Sequence, residues 1–165
     1  MKLIRRQLLQ VSGAAVAALS INASAWGAEL ADLVGSWKLV SYVSEELATG
    51  KKIALLGEHP KGYIIYTPQG RMMVLFVHET RSPPKGEEDR IDLHKNMVSY
   101  SGRYTVEGEK VVHHLDVSWN ESWTGTDQVR FFKLEGDRLT IRTAPQKNAI
   151  TGMENIGVAV WQRER

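Results

Sequence analysis

From residue 36 onward, apolar and polar residues mostly alternate along this chain, the pattern of strands that bury one face. Residues 36–45 put Trp37, Leu39, Ser41 and Val43 on one side and Lys38, Val40 and Tyr42 on the other. Residues 46–61 read as loop, broken at Thr49-Gly50-Lys51-Lys52. Residues 62–67 and 71–78 read as a hairpin around Pro68-Gln69-Gly70. Proline suits the first corner of such a turn, and glycine tolerates the positive φ of the return. Further strands are expected at 102–106 and 110–119 around Glu107-Gly108-Glu109, at 128–134 and 138–143 around Glu135-Gly136-Asp137, and at 157–163.

The period changes once. Over residues 88–100, Leu93, Met97 and Tyr100 recur at helical spacing, with Glu87, Glu88 and Asp89 near the helix N-terminus, where negative charge is favoured. About eight strands at short spacing, with this one short helix, predict an all-β, antiparallel up-and-down barrel or sandwich. The connection at 144–156 is long for a hairpin, and long connections in compact domains often serve as binding loops or lids.

The first 25 residues do not share this pattern. Lys2, Arg5 and Arg6 precede an apolar stretch from Leu8 to Ile21, and Ala23-Ser24-Ala25 follows. Basic start, short apolar run and small residues at the cut form an export signal. Residues 1–25 are therefore expected to be removed, leaving 26–165 as one domain in the periplasm or outside the cell, with no stable membrane anchor. Arg5-Arg6 leaves both the general secretory and the twin-arginine route open. Removing three basic groups leaves 18 Lys and Arg against 19 Asp and Glu, a net of −1. A near-neutral domain with no basic stripe gives no reason to expect a nucleic-acid partner. With no cysteine, disulfides, thiolate metal sites and cysteine nucleophiles are excluded together.

Four blocks in order carry a resemblance. They are Leu33-Val34-Gly35-Ser36-Trp37-Lys38-Leu39-Val40-Ser41; Gly62-Tyr63-Ile64-Ile65-Tyr66-Thr67 with Gly70-Arg71-Met72; Tyr100-Ser101-Gly102-Arg103-Tyr104; and Val112-His113-His114 followed by Trp123-Thr124-Gly125-Thr126 and Arg130. Through them, from Leu33 to Arg163, the chain resembles the bacterial and fungal lipocalin-like domain proteins, among the small calycin-type barrels. The resemblance implies a lipocalin-like barrel and supplies no catalytic motif. It also implies a structural role for Trp37, packed at the closed end under an arginine, with Arg163 in place to be that partner; such stacking contributes roughly 0.5–2 kcal/mol.

Candidate chemistry starts at His113 and His114. Neighbours on a strand point to opposite faces, so the pair cannot share one metal or form one dyad. His113 shares its face with Val111, Leu115 and Val117, which makes it the interior imidazole if that face is the lumen. There it is either a core histidine bonded to a tyrosine or a ligand-orienting, acid–base group. Tyr63 and Tyr66 lie on opposite faces, so one of them sees the lumen. An inward arginine would call for an anionic ligand group, such as a carboxylate or phenolate. Arg130 is expected on the outer face, its stem covering apolar surface, while Arg103 remains open between the two faces. Trp119 and Trp123 lie where a strand meets a loop and either line a mouth or cap the core. Met153, in the long connection, is an adaptable contact.

The reading is an exported barrel that binds a small, largely apolar molecule, with Tyr66, Arg103, Tyr104, His113, Trp119, Trp123 and Met153 as candidate contacts. His113 is the candidate catalytic residue of the alternative, an isomerase- or cyclase-type enzyme on the same barrel; a structural or interaction protein is the third reading. No cofactor and no metal are expected: His59, His78, His94, His113 and His114 lack ligand spacing, and no phosphate loop, nucleophile elbow or dinucleotide fingerprint is present. Ligand identity and oligomeric state are not legible.

Overall fold

The computed structural model describes residues 32–147 and 153–165. The export signal expected at 1–25 and the middle of the 144–156 connection lie outside them. Ten strands form one antiparallel sheet: β1 (Gly35–Glu46), β2 (Lys52–Ile53), β3 (Lys61–Tyr66), β4 (Arg71–Val77), β5 (Met97–Glu107), β6 (Lys110–Ser118), β7 (Asp127–Glu135), β8 (Arg138–Thr143), β9 (Gln146–Lys147) and β10 (Glu154–Arg163). β1 also pairs with β10, which closes eight of the strands into an up-and-down barrel. The two-residue β2 and β9 extend its rim from β1 and β10. Closure leaves those eight strands without a free edge.

The hairpins form as the alternation predicts. In the β3–β4 turn Thr67 donates its N–H to Arg71 and accepts from Gly70, and Gly70 takes φ 77°. Side chains of alternate residues fill the barrel: Ile64 and Tyr66 on β3, Met72, Val74 and Phe76 on β4, Tyr100 and Tyr104 on β5, Val111, His113 and Leu115 on β6, Leu139 and Ile141 on β8, Ala159 and Trp161 on β10. The opposite parity of β3 and β4 leaves Tyr63, Ile65, Met73 and Leu75 on the outer surface.

One end is plugged. Trp37 is fully buried and donates its indole N–H to Leu33 O at 2.9 Å. The Arg163 guanidinium lies 4.0 Å from the Trp37 ring centroid and donates to the carbonyls of Val34 and Asp32. The pairing of first-strand tryptophan with Arg163 is present as the resemblance implied.

Three expectations need correction. The helix, α1, spans Glu87–Lys95 and buries none of its residues. Met97 and Tyr100 belong instead to β5, where they pair with Val77 and Val74. Their helical spacing is outweighed by strand pairing that begins directly after Asn96, whose carbonyl accepts from His78 N–H. Second, the register of β1 against β10 skips at Val40. This bulge inserts one unpaired residue and reverses the alternation beyond it, so Tyr42 turns to the lumen while Val40 stays on the exposed face with Lys38. Third, the register of β6 skips at Asp116, so Val117, expected on the His113 face, is 61% exposed. Opposite that bulge Gly102 is pressed against β6: a Cβ there would sit 2.0 Å from His114 O.

Candidate functional site

The lumen beyond the plug contains a cavity of about 60 Å³. Its walls are Ile64, Val74, Phe76, Val98, Ile141, Ala159 and Trp161, with Tyr42, Tyr100, His113, Trp123, Arg130, Thr143, Gln146 and Gly157 supplying polar or narrower positions. Trp123, on the 3-10 turn Glu121–Trp123, is half-buried, as is Thr143, and Gln146 is exposed; these mark the rim.

His113 is the interior imidazole, fully buried. Its Nε2 lies 2.9 Å from the Tyr66 hydroxyl and its Nδ1 3.3 Å from the Tyr100 hydroxyl. A neutral imidazole offers one donor and one acceptor, so one tyrosine donates to it and the other accepts. Burial, then the nearby Arg130 charge, then His114, hold His113 well below the ordinary histidine value of 6.5. Burial likewise raises Tyr66 well above 10.0, the neighbouring Tyr100 adding to the rise and Arg130 opposing it. His114 faces outward, its Nδ1 2.7 Å from Asp127 and its Nε2 3.0 Å from Thr105.

Arg130 reverses the expectation. It is only 7% exposed and lines the cavity, whereas Arg103 is exposed on the outer face. The β7–β8 hairpin fixes this. Glu135 pairs with Arg138 across Gly136-Asp137, so Leu134 faces Leu139, Phe132 faces Ile141 and Arg130 faces Thr143. Directly opposed residues of an antiparallel pair point to the same side, and Leu139 and Ile141 are buried. Phe131, on the opposite face, lies outside under the Lys110 ammonium, 5.9 Å away. Arg130 donates to Val129 O at 3.0 Å and Gln128 Oε1 at 3.3 Å, and its guanidinium lies 6.0 Å from the Trp123 ring.

The other sequence candidates separate. Tyr66 and Tyr104 stack edge to face at 4.9 Å below the cavity, where Tyr66 braces His113 and Tyr104 donates to Thr67 O at 2.9 Å. Trp123 is a cavity wall; Trp119 packs against it edge to face at 5.0 Å without lining the cavity. Met153 lies 51% exposed beside Glu46, Leu47 and Ala48, away from the lumen. Of the seven candidate contacts named from the sequence, His113 and Trp123 line the cavity, and Tyr42, Tyr100 and Arg130 join them. Tyr42 was hidden by the bulge, and Arg130 by the expectation that an unpaired charge stays outside; hairpin register is the signal that could have located Arg130. Among the described residues no three His, Asp or Glu side chains stand close enough to hold a metal ion.

A family model described as a lipocalin-like domain matches residues 34–164. A 4'-hydroxy-3'-methoxypropiophenone carrier protein of Aspergillus oryzae is 26% identical over 95 residues, covering 52% of this chain and 85% of that protein. The crystal structure of a lipocalin-like protein from Bacteroides uniformis covers 81% of this chain and 99% of its own, with a TM-score of 0.45 and 13% identity. That of an uncharacterised protein from Bacteroides eggerthii covers 80% and 99%, with a TM-score of 0.40 and 12% identity.

Proposed function

Because the chain belongs to the lipocalin-like domain family, we propose that it carries a small, largely apolar molecule in the lumen of its barrel. The observation that carries this reading is the unfilled space beyond the Trp37 plug, walled by aromatic and aliphatic side chains and reaching solvent past Trp123. Small-molecule sites have this make-up: concave, mostly apolar, with few polar groups that fix orientation. The relative named as a propiophenone carrier supports it, since an aromatic ketone with a single ring is the kind of body such walls fit. At about 60 Å³ the lumen is smaller than the roughly 150 Å³ that accommodates benzene in an engineered cavity. A ring-sized ligand therefore enters by displacing the rim side chains Trp123 and Gln146.

Binding rather than catalysis is supported by His113, because both its ring nitrogens already meet tyrosine hydroxyls. The proposal includes export: removal of residues 1–25 would leave a chain beginning at Trp26, outside the cytoplasm. Titration of the purified protein with the neutral probe Nile red tests the binding reading. A saturable rise in fluorescence, with one site per chain and displacement by small aromatic ketones, is expected; no saturable binding of any apolar probe would sink it.

A further inference from the structure

We propose that the lumen selects an organic anion, an apolar body bearing a carboxylate or ionised phenol whose charge pairs with Arg130. This rests on the lumen-binding reading and names the ligand class. Among the described residues Arg130 is the only charged one in the cavity wall, His113 being held neutral beside it. Among the described residues no carboxylate lies within ion-pair distance of it; its partners are one carbonyl and one amide oxygen, both neutral. A buried cation without a counter-ion is costly, and replacing such a charge with a packed apolar side chain is often stabilising. Structure alone therefore gives little reason for an arginine here.

The donors are free to act. A guanidinium has five N–H groups, and the two bonds just named leave three of them to receive an anionic oxygen. Among the described residues neither the Trp161 indole N–H nor the Tyr42 hydroxyl, both belonging to side chains on the same cavity wall, has a hydrogen-bond partner. Charge, vacant donors and apolar surface thus converge on one space. Trp123 beside the guanidinium offers a face to an aromatic body, and an ionised oxygen on a planar ligand meets the planar fork of Arg130 in the geometry that arginine favours.

The test compares 3-phenylpropionate with 3-phenylpropanol, equal in body and different in charge, by isothermal titration of the full chain and by displacement of Nile red. A third arm uses 4-nitrophenol, whose ionised form is yellow and reports a phenolate in the site. At least tenfold preference for the acid over the alcohol, or a shift of bound nitrophenol toward its yellow anion, is expected. The preference should collapse to a ratio near one in Arg130→Met and survive in part in Arg130→Lys. Equal binding of acid and alcohol with no nitrophenol ionisation overturns the proposal while Nile red binding leaves the lumen reading standing. A preference that persists in Arg130→Met overturns it as well. Should that variant fail to fold, the comparison within the unaltered protein decides alone. Absence of Nile red and of all three ligands overturns both readings together.

Discussion

The Tyr66 hydroxyl lies 2.9 Å from His113 Nε2 inside a barrel where neither residue meets solvent. With Tyr100 on the other ring nitrogen, it makes a hydrogen-bonded post across the lumen floor. Three strands, β3, β5 and β6, meet at it. Protonating His113 would bury a second positive charge beside Arg130 and would turn both tyrosine oxygens into acceptors, so neither tyrosine O–H could donate to the ring.

That arrangement makes stability depend on pH. The folded chain keeps His113 unprotonated where the unfolded chain, near the ordinary 6.5, takes up a proton. The unfolded state binds more protons across that window, so stability rises with pH through it and is lost as pH falls below about 6.5. Each pH unit below the unfolded value costs up to roughly 1.4 kcal/mol until the folded value is reached. His113→Gln removes this term. Urea denaturation should show the parent losing about 1 kcal/mol more than the variant between pH 6 and pH 5. Parallel losses in both would remove His113 as the source.

At the closed end, Arg163 stacks on Trp37 and bonds two carbonyls of the chain entering β1. Its side chain is 25% exposed, so the stacking is only partly screened. Arg163→Ala should cost about 2–3 kcal/mol in chemical denaturation, and Arg163→Lys most of that, because an ammonium has no planar fork to stack and bond at once. Ligand affinity at the far end should change little. A loss under about 0.5 kcal/mol would show that the plug holds without its arginine.

Two glycines face the same substitution with opposite consequences. At Gly102 a methyl group would meet the backbone oxygen of His114 at 2.0 Å, and the β5–β6 pair cannot part without breaking its ladder. Gly102→Ala should destabilise by about 3 kcal/mol. At Gly157 the methyl would meet the Tyr42 hydroxyl at 2.8 Å, the far end of a side chain that can turn into the lumen. Gly157→Ala should therefore leave the melting temperature nearly unchanged and weaken probe binding several-fold. Matched thermal melts and Nile red titrations of the two variants check both; equal loss of stability would contradict the difference drawn between them.

Much of this was legible from alternation alone. The hairpins, the inward His113 and outward His114, and the opposite faces of Tyr63 and Tyr66 follow where a strand keeps its parity, while the Trp37–Arg163 pair was legible only through the family resemblance. The failures fall where parity is broken or where local composition points the wrong way. Single-residue bulges at Val40 and Asp116 leave no mark in composition, yet they carry Tyr42 inward and Val117 outward. Arg130 was expected outside because an unpaired buried charge is costly, while the tight turn to β8 reports its direction through Leu139 and Ile141. The helical spacing of Leu93, Met97 and Tyr100 is real in the sequence and is overridden by pairing of β5 with β4. Met153 was singled out by its place in the long connection, which does not fix its direction, and Arg103, left open between the two faces, lies on the outer one.

The central claim is that the ligand lies in the lumen and not on the outer strip formed by Tyr63, Ile65, Met73 and Leu75. Ala159 is a buried cavity wall on β10, and a leucine there adds a volume comparable to the space available. The most direct measurement is Nile red affinity of Ala159→Leu against the parent, with folding checked by circular dichroism. The account predicts a folded variant whose probe affinity falls at least tenfold. A folded variant that binds the probe as tightly as the parent would place the site on the outer strip and contradict the claim.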